Sequence, residues 1–321
     1  MEKSSPASAA SLRWAILRRA LRPSSSSPQS SSCGDPLQTE IERVSRKATR
    51  GFNLVPWEFS SWVEERILLT KRKDVCGNRD AVICYRLPIG RTPTLSLIQR
   101  VGCHMELQDF EISNAHNIDS TGLVCLWPSE DVLTYYCLTH ANIFSSKKVL
   151  ELGSGYGLAG LAVAASTDAH EVTISDGNPH VVDYIHCSVR ANSDNFGDTI
   201  VKPLTLHWGQ EQATDMSSHF DIIIASDCTF FRQFHADLAY TIRCLLKDSE
   251  DSQAIFFSPR RGNTLDMFLE QVRKLGLKVH VVEKYDSKVL GLHQEFINGD
   301  NSSWPNYVAD HCYPLMIKIT F

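Results

Sequence analysis

The stretch VLELGSGYGLAG, residues 149–160, sets four glycines behind a short apolar run that carries one glutamate, Glu151. A backbone needs that much glycine where it turns sharply and lies close to something. Open α/β sheets bind ligands beyond the carboxyl ends of their strands, so the loop after a first strand is where a ligand is expected. Asp176 closes the next apolar segment, VTISD, about 20 residues past the loop, where a carboxylate can accept both hydroxyls of a ribose. Its other reading is an N-cap for the helix that follows. Glu151 sits just before the first glycine. A carboxylate there suits a ligand with a cationic amino group better than a phosphate, which a helix N-terminus favours. Its other reading is a strand-end carboxylate that binds loop amides.

Two templates fit the loop. Gly155, Gly157 and Gly160 have the spacing of the dinucleotide fingerprint, while Glu151, Gly153, Gly155 and Gly157 have that of the methyltransferase pattern. Either string alone is weak. Asp176 does not separate them, because NAD and S-adenosylmethionine both contain an adenosine ribose.

The elements that must position these residues follow from periodicity. PSEDVLTYYCLTH has helical spacing, with Val132, Leu133, Tyr136 and Cys137 on one face and Pro128 and Ser129 as a start. Strands are expected at KKVLEL, HEVTISD, VKPLTLHW, FDIIIASD, QAIFFSP, KVHVVEKYD and YPLMIKITF. Helices are expected at GLAGLAVAAS, HVVDYIHCSVRAN, FHADLAYTIRCLLK and TLDMFLEQVRKLG. This alternation implies a parallel sheet with right-handed crossovers. The last two strands show no helical crossover between them, so they are expected to pair antiparallel. Upstream, AVICYRL, TLSLIQ and HMELQDFEI read as strands, punctuated by Gly77, Gly90 and Pro93. The expected division is a basic N-terminal segment (1–35), a β-rich extension (36–120) and a main domain (121–321).

Composition bounds the rest. The chain has 321 residues, is 43% hydrophobic and carries net charge −5, which argues against a general nucleic-acid binder. No apolar run reaches the roughly 18–20 residues that span a bilayer, so no membrane partner is expected. Ten cysteines lie scattered without a C-x-x-C pair, so no metal site is indicated. Residues 1–35 are Ser-rich and Arg-rich with no acid from Lys3 to Gly34, the composition either of a transit peptide or of a disordered tail with one short basic helix.

Farther along, the segments NIDSTGLVCLWPSEDVLTYYCLTHANIF, SDCTFF and FSPRRGNTLDMF carry a resemblance. The chain resembles the seven-strand protein-lysine methyltransferases, and within them the calmodulin-lysine N-methyltransferases, over nearly all of residues 110–321. The resemblance implies an α/β fold: a Rossmann-like seven-strand class I methyltransferase domain with an N-terminal β-rich extension. It implies S-adenosyl-L-methionine as cofactor, a calmodulin lysine as substrate with trimethyllysine as product, a monomer, and location in cytoplasm and nucleus. By the same resemblance Trp127 lies against the cofactor, Gly153, Ser154 and Gly155 surround its methionine part, Asp176 binds the ribose and Trp208 stands beside the adenine; Gly157 and Glu151 of the glycine pattern are expected at the cofactor as well. Ser226 and Asp227 match the strand-end pair at the methyl-transfer site, where Asp227 is expected to orient the amine. Phe230 stands where many relatives carry tyrosine; its face suits a methylated ammonium. Three rivals remain: another protein substrate such as a chaperone or elongation factor, an NAD-dependent oxidoreductase, and a non-catalytic calmodulin-binding scaffold. Calmodulin is acidic, so an acidic enzyme needs local basic patches to meet it. LRWAILRRALR near the N-terminus, KRK at 71–73 and Arg260-Arg261 are the candidates.

Overall fold

The computed structural model describes residues 51–59, 80–88, 94–100, 107–119, 121–123, 127–209 and 216–321. The basic segment 1–35, KRK at 71–73 and the turns expected at Gly77, Gly90 and Pro93 lie outside the described residues. In chain order the elements are β1 (Trp57–Phe59), β2 (Asp80–Arg86), β3 (Thr94–Arg100), α1 (Leu107–His116), α2 (Pro128–Thr139), β4 (Lys148–Leu152), α3 (Leu158–Ser166), β5 (Glu171–Asp176), α4 (Pro179–Ala191), β6 (Ile200–Thr205), β7 (Ile222–Ser226), α5 (His235–Leu245), β8 (Gln253–Ser258), α6 (Thr264–Lys274), β9 (Lys278–Val282), α7 (Ser287–Asn298), α8 (Ala309–Cys312) and β10 (Leu315–Thr320).

Seven strands form one sheet in the order β6-β5-β4-β7-β8-β10-β9. β4, β5, β6, β7 and β8 run parallel, and β10 pairs antiparallel with both β8 and β9. This is the expected Rossmann-like seven-strand fold. The central strands read as unbroken apolar runs because helices cover both faces. β4 lies between β5 and β7, so the order reverses at its carboxyl end and opens a crevice there. Helix α3 is buried from Leu158 to Ala165, which explains why LAGLAVAA carries no polar face. Gly160 lets it lie against the sheet: a Cβ there would stand 2.5 Å from Glu151 Oε2 and 2.7 Å from Ile174 Cγ1.

The extension forms a second sheet, β1-β2-β3. Its outer strand β3 docks on α4 by hydrogen bonds of a kind normally made to another strand. Ser96 N–H donates to Asn192 Oδ1 at 2.9 Å, Asn192 Nδ2 donates to Ser96 O at 2.7 Å, and Ile98 N–H donates to Ser188 Oγ at 2.9 Å. Covering an edge in this way satisfies buried backbone groups and blocks further strand addition. Ahead of β1, Leu54 and Val55 donate their N–H groups to the Asp131 carboxylate at 2.8 and 3.0 Å. Phe52 inserts edge-on among Phe296, Trp304 and Tyr313, with centroids 5.8, 5.7 and 6.5 Å away.

Two expectations need correction. The segment expected as a strand through HMELQDFEI is helix α1 over Leu107–His116. The alternation slips phase between Leu107 and Phe110, which are three apart, and three is a helical spacing. The antiparallel pairing of β9 with β10 holds, but α7 and α8 lie between them. Helix α7 had legible signals: Asp286 caps the Val289 N–H at 2.9 Å, Val289 and Phe296 are buried on one face, and Gly299 ends it at φ 78°.

Asn192→Ala is expected to strip the Ser96 N–H and C=O of their partners in a buried position (Asn192 is 2% exposed) and to cost about 2–4 kcal/mol. Ser188→Ala removes one such bond and is expected to cost about 1–2 kcal/mol. Denaturant unfolding checks both; unchanged midpoints would show that water replaces these bonds without penalty.

Candidate active site

A cavity of about 380 Å³ opens at the carboxyl ends of β4, β5 and β7, within the usual range for ligand pockets. The glycine loop forms its floor. Gly153, Gly155 and Gly157 have φ of 57°, 54° and 80°, and all three line the cavity with the buried Ser154. Gly153 is the tightest point, where a Cβ would meet Cys228 Sγ at 2.7 Å and Trp208 Cζ2 at 3.1 Å. Trp208 stands on the wall just past β6, its edge against Phe234.

Asp176 also lines the cavity. Its Oδ2 accepts from Gly155 N–H at 3.0 Å and its Oδ1 from Asn178 N–H at 2.8 Å. The N-cap of α4 is Asn178, whose side chain accepts from His180 N–H, so the capping role open to Asp176 is taken by another residue. Burial raises the Asp176 carboxyl to about 6 against the pull of the Asn178 and Gly155 amides.

Glu151 stands apart from the other residues expected at the cofactor. It is 1% exposed and does not line the cavity. Its Oε2 accepts from Gly160 N–H at 2.9 Å, the loop-amide reading of that carboxylate. Its other oxygen is buried, and the carboxyl shares a hydrogen bond with Glu130. The residue sits at an inward position of β4, under α3. The cavity instead meets Glu130, in the first turn of α2. Glu130 accepts from Ala159 N–H at 3.0 Å and from the Ser226 hydroxyl. Burial raises both carboxyls, and the Glu130 charge pushes Glu151 further, well above the usual carboxylate range. The two carboxyls therefore titrate as a pair, and desolvation favours a proton shared between them.

At the end of β7, Ser226, Asp227 and Phe230 all line the cavity. Asp227 adopts φ 56° and caps no helix. Its Oδ2 accepts from Ser129 Oγ at 2.9 Å, and its Oδ1 pairs with the Arg261 guanidinium. That guanidinium lies 5.2 Å from the Trp127 ring centroid and 5.0 Å from that of Phe230. The carboxylate expected to orient the amine and the aromatic face thus already hold a cation. Arg261 is accordingly no surface patch for an acidic partner, whereas Arg260 is exposed and pairs with Glu283 at 2.9 Å.

Other wall residues escaped the sequence reading. His207 has a buried Nε2 without a hydrogen-bond partner and stacks on His116, centroids 4.8 Å apart. Burial, and then His116, lowers its pKa. Asn53, Val55 and Trp57 of the extension close another side. Nothing local in the sequence marks these residues, because their neighbours in space lie far away in the chain. Glu130 and His207 stood in PSEDVLTYYCLTH and VKPLTLHW, and a lone histidine such as His207 reads by type as structural.

The cavity's parts match an adenosyl ligand carrying positive charge. A ribose acid, an indole wall, a glycine floor and an ionisable Glu130 meet in one space. Comparison with known proteins agrees. The chain is 50% identical over 313 residues to the calmodulin-lysine N-methyltransferase of Arabidopsis thaliana, covering 98% of this chain and 97% of that protein. It is 23% identical over 236 residues to the protein-lysine N-methyltransferase EEF2KMT of Mus musculus, covering 70% of this chain and 64% of that one. A solved SAM dependent methyltransferase from Aquifex aeolicus aligns with TM-score 0.38 at 15% identity, covering 67% of this chain and 98% of that one, a likeness too loose to bear on function. The profile of the family described as lysine methyltransferase matches residues 106–275. On that match, and on identity over nearly its whole length to one such enzyme, the chain belongs to the lysine methyltransferase family.

Proposed function

We propose that this chain methylates a lysine side chain of calmodulin, with S-adenosyl-L-methionine as methyl donor and trimethyllysine as product. One observation carries the choice of substrate. The family profile begins at residue 106, whereas the match to the calmodulin-lysine enzyme spans 98% of the chain and so takes in the extension, whose residues Asn53, Val55 and Trp57 wall the cavity. A wall built from a segment that this match covers and the family profile does not is where substrate choice is best made.

Bound S-adenosylmethionine supplies a methyl group already activated on a sulfonium. The protein therefore has to position, to exclude water and to admit a neutral amine. Asp176 receives the ribose hydroxyls, Trp208 packs against the base, and the glycine loop gives the backbone room. Glu130 receives the ammonium of the methionine part, the role that sequence assigned to Glu151. Phe230 and Trp127 shape the space through which the lysine arrives.

Three outcomes follow. Purified full-length chain, with labelled donor and a panel of calmodulin, a chaperone and an elongation factor, is expected to label calmodulin at one or more lysines. Label confined to another member would overturn the substrate. Intact-mass analysis should show products up to three methyl groups.

Ribose hydroxyls donate to the ionised form of Asp176, whose carboxyl titrates at about 6. Cofactor affinity is therefore expected to rise as pH climbs through about 6 and to level off above it. Asp176→Asn should abolish that step and weaken binding about tenfold or more at neutral pH. Calorimetry at several pH values reads both effects, and an unchanged profile removes Asp176 from the site.

Glu130→Gln should weaken cofactor binding by about tenfold, through loss of a charge-assisted hydrogen bond. Glu151→Gln changes a carboxyl that lies behind the cavity wall, so cofactor affinity should change by less than about threefold. The reverse ranking would return the ammonium to Glu151.

A further inference from the structure

Arg261 is a buried cation with no part in holding the cofactor. Its side chain is 8% exposed and that of Asp227 is 2% exposed. Beyond their ion pair, the backbone works to keep them together. Both residues lie in the left-handed region, Asp227 at φ 56° and Arg261 at φ 46°. Two non-glycine residues held there carry strain that the surrounding structure must offset. The Arg261 turn is anchored from α8: its N–H donates to Asp310 O at 2.9 Å, and the Gly262 N–H donates to Asp310 Oδ2 at 2.7 Å. The guanidinium covers faces of Trp127 and Phe230, both cavity walls.

The chemistry of the reaction gives such a pair a use. A lysine amine attacks only as the free base, and its ordinary pKa is about 10.4. An uncompensated carboxylate on the cavity wall would hold the incoming side chain as ammonium. A compensated one still has lone pairs to accept a hydrogen bond from the neutral amine. Groups from every neighbouring element bear on Asp227. Ser129 on α2 donates to it, Glu130 follows on the same helix, Cys228 is its chain neighbour, and Cys312 and Asp310 face the pair from α8. Of these, none is a cation, so compensation rests on Arg261.

We propose that Arg261 is a positioning residue for methyl transfer: it cancels the charge of Asp227 and fixes its orientation, so that the carboxylate aims the lysine amine without retaining it as ammonium. The proton of that ammonium passes to water before attack. This inference rests on the lysine-methylation reading of the site. It also gives Trp127 and Phe230 a role, as the apolar seat that holds the guanidinium in place by cation–π attraction.

The test compares four full-length proteins: wild type, Arg261→Gln, Arg261→Lys and the double variant Arg261→Gln/Asp227→Asn. Calorimetry measures S-adenosylmethionine against S-adenosylhomocysteine, which differ at the cavity by a positive sulfonium. Methylation of calmodulin is followed over roughly pH 6 to 10, the range in which a lysine amine titrates. Arg261→Gln leaves Asp227 uncompensated. It is expected to raise the preference for the sulfonium ligand about fivefold and to move the pH–rate profile upward by about one pH unit. Arg261→Lys keeps the charge and should keep both properties near wild type. The double variant removes both charges and should return ligand preference and profile towards wild type, even at a lower rate. Unchanged ligand preference in Arg261→Gln overturns the proposal, whatever the substrate. An equal loss of rate at every pH, with no shift, assigns Arg261 to structure alone and also overturns it. Wild type inactive on calmodulin refutes the substrate, and the ligand-preference measurement then decides the role of Arg261 by itself.

Discussion

Negative charge crowds the carboxyl ends of three adjacent strands, and the site is built around containing it. Glu151 on β4, Asp176 on β5, Asp227 after β7 and Glu130 on α2 converge there, and a single guanidinium stands among them within the described residues. Buried carboxylates repel one another and lose hydration, so each needs donors or a proton. The structure answers differently at each one. Glu151 takes a helix amide, Asp176 takes two loop amides, Glu130 takes an amide and a hydroxyl, and Asp227 takes Arg261. What remains on the cofactor side is a field that favours a cation, which a sulfonium donor brings, while the carboxylate nearest the Trp127 and Phe230 wall is already paired with Arg261.

The extension is bound into this arrangement through backbone groups. Edge strand β3 uses side chains of α4 as its partner, and the strap before β1 uses Asp131 of α2. Asp131 neighbours Glu130 in sequence, so one helical turn serves the cofactor cavity and the extension together. Burial raises the Asp131 carboxyl to about 6 in spite of those amides. Phe52, wedged among aromatics of the α7–β10 region, ties the strap to the last part of the chain. The cavity therefore has walls from the extension and from the first half of the main domain, Gly51 to Asp237, while the last part of the chain supports it from behind through Phe52.

Much of this was legible in the sequence. Period-two and helical spacings placed the seven strands and the helices between most of them, because burial on a sheet or a helix face imposes those periods directly. The glycine loop and Asp176 were singled out from type and position, since a strand end followed by glycine has few other uses, whereas Trp208 was named only through the family resemblance. Helix α7 also had its cap, its apolar face and its closing glycine in plain view.

Tertiary structure alone decided the rest. Glu151 and Glu130 are 21 residues apart in number, and only packing of α2 against α3 shows which one the cavity meets. Arg260-Arg261 reads as a basic dipeptide for an acidic partner. A left-handed turn sends the second arginine inward to Asp227 and leaves the first in solvent. No local pattern encodes that choice, because the carboxylate that attracts Arg261 comes from another strand. Sequence determined which groups were available and along which elements. Long-range packing determined which of them are desolvated together, and desolvation sets their charge and their chemistry.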